Sequence, residues 1–179
     1  MNRKVKCILQ IILAACLSLY CYTFLHELGH AIVMLSAGAT ILDFSILTSH
    51  VTAEGGNYTQ LSQLLLHANG ALLPVICSFV FNLFYTINSK NVFYHFFSYL
   101  AAVIPIASMI AWVFLPLSYI NGKAPVRDDV THFLDACPEG ISPLLVSAAA
   151  AAIIVLGIVF MVKKEIFKTA TQIVKENRA

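Results

Sequence analysis

Four long apolar segments constrain this chain more than any other feature. The first runs from Cys7 through Leu25 and, past a polar interruption, to about Ala37. The second runs from about Leu61 to Ile87, the third from about Val92 to Ile120, and the fourth from about Ile141 to Val162. As helices, all are long enough to cross roughly 30 Å of hydrocarbon. In lipid the backbone must satisfy its own polar groups, which selects helices or closed barrels. Only 11% of the residues are charged, where a soluble domain carries about 25%. With a mean hydropathy of +0.82, much of the surface is expected to face lipid. The predicted fold is therefore an all-α polytopic membrane protein with about four transmembrane helices. Gly38 is placed to end the first helix, and Asn88 with Ser89 to separate the second from the third. Pro74, Pro105 and Pro116 fall within spans, where kinks are tolerated. The residues after Gly38 alternate as strands do, predicting a short β-hairpin-like excursion after the first span.

Residues 1–162 read as a single transmembrane domain and 163–179 as a basic tail, either an interfacial amphipathic helix or, as favoured, a solvated extension of the last span. The stretch Leu13-Ala14-Ala15-Cys16 is similar to a lipoprotein cleavage site, but the chain stays apolar beyond it, so an uncleaved first helix is expected. Orientation follows the cations. Arg3, Lys4 and Lys6 precede the first span, Lys90 lies between the second and third, and Lys163, Lys164, Lys168, Lys175 and Arg178 follow the fourth. Only Lys123 and Arg127 fall on the other side. Both termini are thus predicted cytoplasmic, in what is expected to be a bacterial cell membrane. The net charge of +2, without a basic stripe, excludes nucleic acid as an expected partner. The five cysteines show no C-x-x-C spacing, and most lie in apolar runs, as small hydrophobes do.

One polar interruption carries chemistry. Within the first span the chain reads Phe24-Leu25-His26-Glu27-Leu28-Gly29-His30-Ala31, an H-E-x-x-H pattern. On a helix the two histidines stand about 40° apart on one face, one turn separated. Placed so, the imidazoles can share one Zn²⁺. Glu27 projects about 100° away, better placed to take a proton from a zinc-bound water than to ligate. Ionisable groups at membrane depth are costly and usually functional. Catalytic zinc commonly takes a third protein ligand and keeps one position open. Asp43, His50, Glu54, His67, Asp128, Asp129, His132 and Asp135 are the candidates on the same predicted side. The run from Arg127 to Leu134 is the most concentrated; its first aspartate can cap a short helix, and His132 can share a face with Asp129.

This ensemble resembles the site-2 protease family of intramembrane zinc metalloproteases, in particular its small bacterial branch. The resemblance rests on His26-Glu27-Leu28-Gly29-His30-Ala31, on Gly38 closing that helix, and on an excursion ending in Glu54-Gly55-Gly56. It continues with Ala68-Asn69-Gly70-Ala71-Leu72-Leu73-Pro74 in the second span and an aspartate before the last. It implies His26, His30 and an aspartate as zinc ligands and Glu27 as general base. Asp129 fits the aspartate best, with Asp128 and His132 as alternates; the Leu-Asp-Gly motif of larger members is absent. The resemblance implies Asn69 as the counterpart of a polar group near the substrate or oxyanion, with an ordinary helix-packing asparagine as the alternative. The expected activity is endoproteolysis of a membrane-associated protein substrate, with the bilayer as solvent and a regulatory membrane subunit as a conceivable partner. In the well-known members the zinc lies nearer the cytoplasmic face, whereas the charge rule puts this site toward the outside. A catalytically inactive relative acting as a binding module, a membrane zinc peptidase of another family, and a metal-ion carrier are the competing classes.

Overall fold

The computed structural model describes residues 2–178. Helix α1 (Arg3–Ser36) is followed by strands β1 (Ala39–Ser45) and β2 (His50–Gly55), then by α2 (Gln60–Leu83) and α3 (Val92–Ile120). A short α4 (Asp129–Asp135) precedes α5 (Pro143–Lys163) and α6 (Ile166–Arg178). Four of these helices, α1, α2, α3 and α5, are long and apolar enough to cross a membrane. Side-chain caps fix several starts: the Thr59, Asn91 and Ser142 side chains each accept from a backbone N–H in the first turn of α2, α3 and α5. Gly38, at φ +81°, reverses the chain after α1 in the left-handed conformation that glycine adopts at no steric cost.

The bundle is built on close approach of small residues. Its buried apolar positions include Ala14, Ala31, Ala68, Ala71, Ala102 and Ala150. Gly29 lies so near α2 that a Cβ would strike the Asn69 carbonyl, and one on Gly157 would strike the Ile106 side chain. Many of the large apolar residues point outward, Leu13 at 59% exposed, Phe114 at 61% and Leu156 at 67%, while Trp112, Met109 and Ile166 fill the core. Small residues at the contacts let helices approach closely, as they do in lipid. Ser147 Oγ adds an interhelical hydrogen bond to the Val113 carbonyl at 2.7 Å.

The two strands pair antiparallel from Ala39↔Gly55 to Ser45↔His50, with a register irregularity between Ile41 and Asp43. The hairpin folds back along α1: Phe44 meets Phe24 edge-on with ring centroids 6.1 Å apart. Phe44 therefore lies beside α1 roughly 18 Å below that helix's end, at 1.5 Å per residue. The tail differs from the expected solvated extension. Glu165 takes φ +55° and ends α5, and α6 turns back to pack on the bundle, with Ile166 fully buried and Ala170 and Thr169 nearly so. The alternation of basic and apolar residues that suggested a solvated helix is instead an amphipathic face seated against α3 and α1.

Candidate metal centre

Three elements converge on one point. The i, i+4 spacing in α1 sets His26 and His30 one above the other, with Nε2 atoms 3.2 Å apart. Helix α4, entered through its Asp128 cap, delivers Asp129 from the far side. The Asp129 Oδ2 lies 3.4 Å from His26 Nε2 and 3.3 Å from His30 Nε2. The three residues form a group able to hold a metal ion. Two ligands about 2.0–2.1 Å from a tetrahedral zinc stand roughly 3.3–3.4 Å apart, and the edges of this triangle match that spacing.

The proton inventory points the same way. His30 Nδ1 sits 2.6 Å from the Leu66 carbonyl, which can only accept, so Nδ1 carries the proton. A neutral His30 then turns a lone pair on Nε2 toward the Asp129 carboxylate, and two acceptors at 3.3 Å require a proton or a cation between them. The backbone contact to Leu66 is also the kind of outer hydrogen bond that orients a ligating imidazole. The donor set and spacing fit zinc.

Helix α2 makes room for the cluster at Gly70. A Cβ there would overlap His30 Nε2 and the ring carbons of His30 and His26, so the imidazoles occupy the space that a side chain would take. Glu27, only 3% exposed, lines the same cavity of about 1060 Å³ as the three converging residues. Its Oε1 accepts from the Ser49 hydroxyl at 2.8 Å.

The remaining candidates go elsewhere. Asp128 Oδ1 accepts from Val130 N at 2.8 Å and caps α4. His132 lies against His67, rings 5.2 Å apart, and both line the cavity beside the triangle, with His67 Nδ1 4.0 Å from Asp129 Oδ1. Asp135 accepts from the Tyr119 hydroxyl at 2.8 Å. Asp43 and His50 pair with each other on the hairpin at 2.5 Å, and Glu54 lies exposed in β2. Asn69, expected near the substrate, is not among the cavity's lining residues; its Nδ2 donates to the Gly29 carbonyl at 3.0 Å and ties α2 to α1. One position and one role escaped the sequence reading. Ser49 has no spacing relation to Glu27, and the steric role of Gly70 exists only once α1 and α2 cross.

No protein-family model, no curated protein and no solved structure matches this chain.

Proposed function

We propose that this chain is a multi-pass membrane zinc endopeptidase of the site-2 protease type, hydrolysing a peptide bond in a membrane-associated protein. The observation that carries this reading is the convergence of His26, His30 and Asp129 beside the buried Glu27 carboxylate. Zinc held by the three would supply a Lewis acid that polarises a carbonyl and makes water a stronger acid. Glu27, facing the same cavity, takes the proton from the attacking water and returns it to the leaving amine. His30, held by Leu66 in the tautomer with Nε2 free, would present that lone pair to the metal.

A spanning substrate helix hides its carbonyls in internal hydrogen bonds and must unwind before cleavage. Val51 and Thr52 of β2 line the cavity, so an unwound segment pairing with the hairpin edge would pass the site. The apolar exterior supports a bilayer setting, and the distribution of Lys and Arg supports cytoplasmic termini in a bacterial cell membrane. A metal-binding regulatory module would have no use for a buried carboxylate next to the metal. A peptidase with glutamate as third ligand is disfavoured because Glu139 and Glu165 lie outside the triangle.

The test is Glu27→Gln in protein co-reconstituted into proteoliposomes with single-span reporter peptides. The variant is expected to keep its zinc and to lose cleavage by at least about a hundredfold, as removal of a general base does. Cleavage at the wild-type rate by Glu27→Gln overturns the reading.

A further inference from the structure

The proton acceptor assigned above is not held by its own helix. Among the described residues, the hydrogen bond to the Glu27 side chain comes from Ser49 Oγ, at 2.8 Å, from the turn joining β1 to β2. That turn is braced from outside: His50 bridges Asp43 Oδ2 and Thr48 Oγ1, at 2.5 and 2.9 Å, and Thr48 Oγ1 donates to Ser45 Oγ at 2.5 Å. The bracing fixes which way the turn's last residue faces. Ser49 itself adopts φ +49°, a left-handed conformation that glycine or asparagine takes more readily than serine. Glycine would relieve the backbone but would bring no hydroxyl to Glu27.

We propose that Ser49 is a positioning residue for Glu27: its hydroxyl, delivered by the hairpin turn, pins Oε1 and leaves Oε2 facing the cavity. A carboxylate on a flexible side chain samples several rotamers. One charge-assisted hydrogen bond from a braced turn selects among them before substrate arrives. The hairpin thus does more than offer an edge to substrate, because it completes the catalytic arrangement from outside the helix that carries the H-E-x-x-H pattern. This rests on the reading of Glu27 as general base, and the experiment separates the two.

Ser49→Ala, Ser49→Gly, Ser49→Thr and Glu27→Gln are compared with wild type for zinc content, for kcat and KM on the proteoliposome reporter, and for Tm in detergent without zinc. Loss of an outer-shell partner typically costs 10–100-fold in activity, so Ser49→Ala and Ser49→Gly should lower kcat by about that factor with KM and zinc content unchanged. Ser49→Thr restores the hydroxyl at the expense of a β-branched residue at positive φ. It should therefore recover most of kcat while being less thermostable than Ser49→Gly, so that activity and stability rank the two variants in opposite orders. In the zinc-free protein the Tm losses of Ser49→Ala and Glu27→Ala, the latter removing the acceptor that Gln would keep, should be less than additive in the double variant, as for directly bonded partners. Wild-type kcat in Ser49→Ala, activity in Ser49→Gly above that in Ser49→Thr, or additive Tm losses would overturn the role of Ser49 while leaving Glu27 as base. Full cleavage by Glu27→Gln would overturn both.

Discussion

At the scale of single residues, the decisive contrast is between two adjacent aspartates. Asp128 spends its carboxylate on capping α4, whereas Asp129 turns Oδ2 toward both imidazoles. Asp128→Ala should cost about 1 kcal/mol, the usual worth of a helix cap, and leave zinc content intact; thermal unfolding in detergent with metal analysis would check this. Gly70 gives a second residue-scale expectation. A methyl there overlaps both imidazoles, so Gly70→Ala should weaken zinc affinity about 10–100-fold, the range for disturbing a ligand's surroundings. A zinc competition titration would measure it. The sequence made His26 and His30 legible because i, i+4 geometry is local and needs no knowledge of the fold. Choosing Asp129 over Asp128 depended on resemblance, since which aspartate caps α4 is decided by where that helix begins. Ser49, and the room that Gly70 leaves for the imidazoles, could not be read from sequence because both arise between elements distant in sequence.

At the scale of elements, the α1–α2 crossing governs the site. Gly29 meets the Asn69 carbonyl at van der Waals limits, and the Asn69 amide returns a hydrogen bond to Gly29. Gly29→Ala would force the helices apart against a backbone atom that cannot rotate away. A loss of about 1–3 kcal/mol is expected, as for overpacking, visible as a lower Tm. The four long helices were readable from hydropathy to within a few residues because lipid-spanning length is a property of composition. The tail was misread because periodic alternation of apolar and basic residues says that a helix has two faces, not what its apolar face will meet. That face meets α3 and α1, with Ile166 fully buried. Ile166→Ala should accordingly cost about 2–5 kcal/mol, the range for truncating a buried isoleucine.

At the scale of the whole molecule, the His26, His30 and Asp129 cluster and most of the lysines lie at opposite ends. The hairpin, α4 and the start of α2 gather around His26 and His30. The other end brings Lys6, Lys90 and α6 around one cavity, and Lys164 Nζ donates to the Leu83 carbonyl at 2.6 Å. Bulky apolar side chains clothe the helices between the two ends, which is the distribution a bilayer stabilises. We propose the converging end as a zinc site whose third ligand is Asp129, and metal analysis of the purified wild-type, Asp128→Ala and Asp129→Ala proteins tests it most directly. About one zinc per chain is expected in wild type and in Asp128→Ala, and strongly reduced zinc in Asp129→Ala, as loss of one of three ligands requires. A wild-type protein that binds no zinc, or an Asp129→Ala variant that binds it as tightly as wild type, would contradict it.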